Sequence, residues 1–586
     1  MIKKIEIPEP QAIPLYDVKP PERLPNPPGY HRWQDDDFAD REHAFYHFSM
    51  DDEKELKPYG KELSKWKLVS VTVALCSAMF CVSLDGTILA TAIPKITNAF
   101  GSLDDVGWYG SAYLFTNCAV QLLFGKLYTF YSVKWVFLTG LLIFEVGSLI
   151  CGTAATSSTL IIGRSIAGLG SAGLFAGALI IVSSTVPLRV RPIYVGLVSS
   201  MHGVASIAGP ILGGAFTQYL TWRWCFFINL PLGGLTCLLI LFLVPGNEST
   251  LKKAPWREQF KEFDLPGTLT LIPAVICMIL ALQWGGSKYA WSDVHVVSLF
   301  VVFGLLFAVF IAIQIFQKDR ATIPLRMMKN RNICGAAWYA LCISPPMFLI
   351  AYYLPIWFQA IKGVTATQSG IDTLPSLLGL VVFAIIAGGL SSTTGYYTPL
   401  VLLSSVMTAI SVGLLTTLQV DSGTPHWFGY QVLLAAGLGF GIQNVMLVAQ
   451  VAVPESDMAM VTSILSFVQT LAGSLFLSIG ESVFANRLIS NLKARLPDVN
   501  GAEVVASGAT GIRNHFTPKQ LPIVLQAYNK AIVQTFYVGV VMASLSIFGP
   551  IFMEWLSIKK TADEREKRDN MAKKRMSVTL GAVGLN

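Results

Sequence analysis

Long apolar runs separated by short polar gaps dominate this chain of 586 residues. Fourteen such blocks stand out, at roughly 68–92, 107–128, 134–155, 159–186, 192–219, 223–245, 266–285, 293–316, 333–358, 368–390, 396–419, 427–452, 459–484 and 531–556. A block of about 20 residues, wound as an α-helix, crosses the ~30 Å hydrocarbon layer of a bilayer. β-barrel strands would show short segments alternating at period two instead. The pattern therefore predicts an all-α polytopic membrane protein with fourteen transmembrane helices. Residues 1–65 are polar, Pro-rich and acidic (Asp35-Asp36-Asp37, Asp51-Asp52-Glu53), the signature of a disordered arm.

Charge sets the expected orientation. An even number of spans puts both termini on one side. Loops on that side hold Lys126, Lys134, Arg189, Arg191, Lys252, Lys253, Arg257, Lys261, Lys318, Arg320, Arg326, Lys329 and Arg331. Short loops on the other side hold only Lys95, Arg223, Lys288 and Lys362. Basic residues stay cytosolic, so both termini are expected in the cytosol. The loop 485–530 carries six basic residues on the outer side, in the length range where charge bias fades. The tail 557–586 is basic, suited either to the anionic inner leaflet or simply to solvent.

Composition agrees with this picture: 53% of residues are hydrophobic and 13% charged, against about 25% charged in soluble domains. The net charge of +7 follows topology and does not indicate a nucleic-acid partner. All nine cysteines lie in or beside apolar blocks and none forms Cys-x-x-Cys, so neither a disulfide framework nor a metal site is expected.

Ionisable residues inside spans are few and costly. Asp85, Glu145, Arg164, His202 and Glu481 lie in spans one, three, four, five and thirteen. Around Arg164 the chain reads GRSIAGLGSAGLFAG (163–177), which contains Gly168-Leu-Gly170-Ser-Ala-Gly173, formally a G-x-G-x-x-G. A dinucleotide fingerprint needs a preceding strand and a βαβ unit, whereas apolar spans flank this stretch. As a helix, it places Arg164, Gly168, Ser171 and Phe175 on one face and small residues on the next. That suits a charge facing a polar interior and close helix packing. Span five holds Ala205-Ser-Ile-Ala-Gly209-Pro210-Ile-Leu-Gly213-Gly214, where Pro210 should bend the helix.

Four stretches together resemble the major facilitator superfamily, in its fourteen-span drug:proton antiporter group, and most of all fungal toxin and multidrug efflux pumps. They are Leu84-Asp85-Gly86-Thr87-Ile88 with Ala92-Ile93-Pro94, the loop Gly125–Lys134, Arg164-Ser-Ile-Ala-Gly168-Leu-Gly170, and the antiporter motif around Gly209, Pro210, Gly213 and Gly214. Trp222-Arg223-Trp224-Cys-Phe-Phe-Ile-Asn229-Leu-Pro231 and Leu354–Gly370 look like the fungal branch. In the loop, the superfamily's Asp-Arg pair is Thr129-Phe130, while Gly125, Lys126 and Lys134 remain. In the family those missing charges help latch the outward-open state, so the family's gating scheme does not carry over to this chain by resemblance alone.

The resemblance implies a 6+2+6 plan. It comprises an arm (1–65), a six-helix bundle (66–245), two inserted helices (246–332), a second bundle (333–556) and the tail. It also implies proton-coupled efflux of bulky amphipathic molecules by alternating access. The proton-coupling candidates are Asp85, Arg164, His202 and Glu481. Cavity candidates are Trp338, Tyr352, Tyr353, Gln443, Asn444, Met446, Gln450 and Gln469, with Pro345-Pro346 expected to break span nine. No cofactor is expected, and no ATP, because no G-x-x-x-x-G-K-[ST] occurs. The expected partners are a small-molecule substrate, protons and the bilayer. The chain is expected to act as a monomer, in the plasma membrane or in a vacuolar or vesicular membrane. Importer or uniporter activity on the same fold, for a siderophore or sugar, is the alternative. Asn247-Glu-Ser249 should stay unglycosylated, being cytosolic.

Overall fold

The structure, a computed structural model, describes residues 64–100, 105–244, 263–285, 289–496 and 516–582. The acidic arm, Asn247, the basic residues between 245 and 262, and 497–515 of the long loop lie outside the described residues.

Among the described residues, fourteen long helices follow the apolar blocks. The first six are α1 (Lys65–Phe100), α2 (Val106–Phe130), α3 (Val133–Thr153), α4 (Ser157–Thr185), α5 (Arg191–Tyr219) and α6 (Asn229–Leu243). Next come α7 (Leu265–Trp284), α8 (Val294–Gln317), α9 (Arg331–Trp357) and α10 (Leu374–Thr394). The set closes with α11 (Thr398–Leu415), α12 (Thr424–Met446), α13 (Glu455–Lys493) and α14 (Leu521–Leu545), followed by a tail helix, α15 (Ile558–Ala582). Thirteen described helices are long and apolar enough to cross a membrane. The other is α2. Its 25 residues reach about 37 Å, and its polarity comes from side chains turned inward, including Tyr109, Gln121 and Lys126, all buried.

Helix packing is dense where side chains are absent. α4 lies against both α3 and α2. A Cβ on Gly170 would sit 2.3 Å from the Phe144 backbone nitrogen, and one on Gly168 would sit 2.2 Å from the Tyr113 carbonyl oxygen. In the second half α12 lies against α10 and α11 in the same way, with Gly437 pressed on Thr408 and Gly439 on Phe383.

The two halves meet through α5 with α10 and α2 with α13. Gly203 meets Val381 part-way along α5, and further close approaches are Gly196 to Ala384, Gly388 to Pro192 and Gly125 to Ser463. The last three lie near the end where α1 begins and α14 finishes, called here the near end. The tail helix adds to it. Ile558 N–H donates to the Gly395 carbonyl (2.8 Å), and Arg565 donates to the carbonyls of Gln450 (2.9 Å) and Val453 (3.1 Å). Asp563 pairs with Arg189 of the α4–α5 connection.

Two expectations are corrected. Pro345 and Pro346 do not break span nine: both lie inside the continuous α9, whose break comes only as a wider turn at Phe358–Lys362. Both prolines are buried against neighbouring helices, and packing of that kind is what lets membrane helices keep prolines. The connection expected over 485–530 is also shorter, because α13 and α14 run past the apolar blocks as a helical pair. There Leu488 and Leu492 are buried, Asn491 donates to Gln534 (3.1 Å), and Arg495 donates to Gln526 (2.8 Å).

Candidate functional site

The first half encloses a charged cluster. Asp85 on α1 is 0% exposed and Arg164 on α4 is 1% exposed, and the two form an ion pair. Arg164 Nε also donates to the Tyr109 carbonyl (2.8 Å), and its guanidinium lies 4.5 Å from the centre of the Tyr113 ring. Asn229 Nδ2, from the start of α6, donates to the other Asp85 oxygen (3.4 Å) and to Ser148 Oγ on α3 (3.2 Å). Five helices thus converge on one pair of charges. α4 starts where Thr156 accepts from the Thr159 N–H (3.2 Å), a capping bond that starts the helix just ahead of Arg164. A lone charge buried here would cost several kcal/mol, so each charge depends on the other.

The antiporter motif grips α1 beside this cluster. A Cβ on Gly209 would fall 2.3 Å from Thr87 Oγ1, and one on Gly213 would fall 2.1 Å from Thr91 Oγ1. Thr87 donates to the Ala205 carbonyl (3.1 Å). Pro210 lies within the unbroken α5, and a Cβ on Gly214 would meet nothing within 4 Å. His202 faces Ser83 Oγ (3.2 Å) one turn along α5. Glu481 lies on the second half, exposed on α13, and does not join the pair.

At the junction of α2 and α3, Lys126, in the last turns of α2, is 2% exposed and donates to the Arg320 carbonyl beyond α8. Lys134 donates to the Leu241 carbonyl (2.6 Å). Thr129 bonds only back to Gly125 O (2.9 Å), so it does not replace the missing acid. Phe130 and Tyr131 instead pack on Phe263, each with ring centres 5.9 Å apart. Asp264 follows, buried, accepting from Gly267 N (2.8 Å), Gln314 (2.8 Å) and Thr322 N (2.7 Å) and Oγ1 (2.6 Å). The altered loop is therefore clasped to the inserted pair α7–α8. Arg326, just past α8, in turn pairs with Asp457 of α13 (2.8 Å).

The buried polar cluster of the second half consists of neutral groups. Ser391 donates to Asn444 Oδ1 (2.7 Å), Asn444 Nδ2 donates to the Phe440 carbonyl (2.7 Å), and Tyr339 bonds Ser404 (2.6 Å). Gln443, Asn444, Met446 and Gln450 are all buried at the near end. Gln469 is half-buried on α13. Tyr353 is buried, and Tyr352 is 45% exposed against it at 5.1 Å. Trp338 is 42% exposed and donates to the Leu545 carbonyl (2.9 Å). An open apolar groove of about 440 Å3 between α10, α11 and α12 is lined by Phe383, Met407 and Phe428, and none of the cavity candidates borders it.

The model of the Major Facilitator Superfamily matches residues 75–477. The chain belongs to that superfamily. It is 50% identical over 495 residues to the efflux pump roqT of Penicillium rubens, covering 84% of this chain and 92% of that protein. It is 49% identical over 496 residues to the MFS-type transporter astH of Aspergillus oryzae, covering 85% and 88%. It is 48% identical over 494 residues to the efflux pump MFS1 of Trichophyton rubrum, covering 84% and 92%. Among solved structures, the human organic anion transporter MFSD10 has the same fold, with a TM-score of 0.52 at 12% identity over 81% of this chain and 99% of that one. This superfamily member is a multi-pass efflux transporter with a small-molecule substrate, and it is not an enzyme.

Sequence reasoning picked out Asp85 and Arg164 but not the residues that hold them. Asn229 was visible only as part of a fungal-type stretch, and Ser148, Tyr109 and Tyr113 carried no local signal. Their role comes from helix contacts between distant parts of the chain.

Proposed function

We propose that this protein exports bulky amphipathic small molecules in exchange for protons. Asp85 is the group that gains and loses the proton. The observation that carries this reading is the isolation of the Asp85–Arg164 pair inside the first half. An ion pair with no water around it is stable only while both partners stay together. Protonating Asp85 removes the attraction, and a shift of α1 against α4 then becomes affordable. The antiporter motif packs directly on α1 at Thr87 and Thr91, so such a shift is transmitted to α5.

The halves touch at the near end through α5–α10 and α2–α13. With both termini in the cytosol, this is a cytosol-closed state of an alternating-access cycle. The halves are 66–245 and 333–556, and 246–332 forms the inserted pair. The neutral amides and aromatic rings of the second half suit a substrate with mixed polarity. The protein acts as a monomer in the plasma membrane.

Metabolite profiling of a strain lacking the protein identifies the exported compound. Proteoliposomes with an imposed pH gradient then test coupling with that compound. Wild type should move it against its gradient, and Asp85→Asn should not, at equal protein levels. Full transport by Asp85→Asn removes Asp85 from the mechanism. Accumulation on the cytosolic side would instead establish import.

A further inference from the structure

Glu145 lies near the middle of α3, about 18 Å from its first residue. Both its carboxyl oxygens are buried and receive no hydrogen bond. The side chain fills the space over Gly233 of α6, where a Cβ would fall 1.7 Å from one of those oxygens. One turn along each helix come Ser148 and Asn229, which are bonded to each other, and Asn229 reaches on to Asp85. The contact between α3 and α6 therefore contains a polar seam of Glu145, Ser148, Gly233 and Asn229 that ends at the charged pair.

Two groups in this seam lack partners. The Glu145 oxygens are one, and Asn229 Oδ1, also buried, is the other. A carboxylate could not help Asn229 Oδ1, since both are acceptors. A protonated carboxyl could, because it has an O–H to donate. An unpaired carboxylate in hydrocarbon is also too costly to persist. The other titratable groups nearby are Cys81 and Asp85 on α1, Cys237 on α6 and Arg164 on α4. Arg164 is already committed to Asp85. The bases at the ends of α3, Lys134 and Arg223, are bonded to the carbonyls of Leu241 and of Gly152 and Ala154.

We propose that Glu145 is a second proton-binding residue of this pump, joined to Asp85 through Asn229. The proposal rests on the proton-coupled reading above. Glu145 holds its proton in the state described here, because nothing donates to its buried carboxyl, and the unpartnered Asn229 Oδ1 one turn along α6 is the acceptor that its O–H can reach by turning. When the proton leaves, the O–H bond breaks and its electron pair stays on the carboxylate. That new charge is felt at Asp85 along the polar seam, whose Asn229 amide bonds Asp85 directly. Gly233 exists at its position to admit the side chain.

The test is infrared spectroscopy of the full-length protein in liposomes, following the C=O stretch of protonated carboxyl groups as pH is raised. The protein's own carboxyl groups are the probe, so no substrate is needed. Wild type should show a protonated-carboxyl band at neutral pH that Glu145→Gln removes. Asn229→Ala, which keeps both acids and Arg164, should move the midpoint of that band by about one pH unit, a tenfold change in proton affinity. An unchanged band in Glu145→Gln overturns the proposal, and so does an unmoved midpoint in Asn229→Ala. If instead both shifts occur but substrate export in wild type moves no protons, the coupled carboxyl pair stands and the antiport reading falls.

Discussion

The two halves of this transporter share a scaffold but not a chemistry. In each, one glycine-rich helix, α4 or α12, is pressed against two neighbours without intervening side chains. Within that frame the first half buries opposite charges, Asp85 and Arg164. The second half buries amides and hydroxyls: Asn444, Ser391, Tyr339 and Ser404. The charged pair sits far from the near end, since Arg164 is in the second turn of α4. The amides sit at the near end, late in α12. Packing is thus a common requirement of both bundles, whereas charge is a local choice. A buried ion pair loses its attraction if its acid is protonated, while neutral hydrogen bonds keep their strength across ordinary pH.

The contrast breaks first at Arg164. Arg164→Met leaves Asp85 buried and alone, at a cost of about 3–5 kcal/mol. Thermal unfolding followed by size-exclusion chromatography should show a large loss. The double change Asp85→Asn with Arg164→Gln should recover most of it and still not couple export to a pH gradient. If the single change is as stable as wild type, the pair is not the keystone of the first half.

The shared scaffold is tested next, by Gly170→Val and Gly437→Val. Each puts methyl groups into a neighbouring backbone and should cost about 1–3 kcal/mol or more. Gly214→Ala, in open space, should change unfolding by less than about 0.5 kcal/mol. A loss confined to one half would end the parallel between α4 and α12.

A smaller effect is expected in the neutral seam. Asn444→Ala takes the acceptor from Ser391 and should cost about 1–3 kcal/mol. Because no charge is involved, the loss should be the same at pH 6 and pH 8 in matched unfolding experiments.

The smallest effect lies at the near end, outside the bilayer. Hydrogen bonds from Arg331 and then Asn332 hold the Glu554 carboxyl below its usual range. A group whose pKa is lowered by folding stabilises the fold above its unfolded pKa, about 4.3, and that contribution disappears as pH falls through the lower folded value. Glu554→Gln should therefore lower stability slightly at neutral pH, leave it unchanged in strong acid, and so flatten the acid limb of the unfolding curve. An unaltered limb would mean that this exposed pair contributes nothing measurable.

Much of the architecture was legible in the chain. Apolar blocks of membrane-crossing length marked the fourteen helices, because a backbone in hydrocarbon must bond to itself and a helix does so locally. Even α2 was marked, although its inward-facing polar residues dilute its hydropathy. Asp85 and Arg164 stood out for the same reason, as charges where charge is expensive. Local pattern misled where neighbours supply the compensation. Pro345 and Pro346 lie in a helix that packing keeps whole, and α13 and α14 continue past their apolar blocks because each buries the other's leucines.

Sequence alone thus determined the spans, the scarcity of charge and the loss of the acid at Thr129. Only the tertiary structure decided which helix faces meet. It paired Asp85 with Arg164 and brought Asn229 and Ser148 to them. It also turned Phe130 and Tyr131 onto Phe263 and set Glu145 over Gly233. The physical reason is distance along the chain. A helix forms from bonds four residues apart, whereas a buried charge is stabilised by partners that only the packed bundle brings within reach.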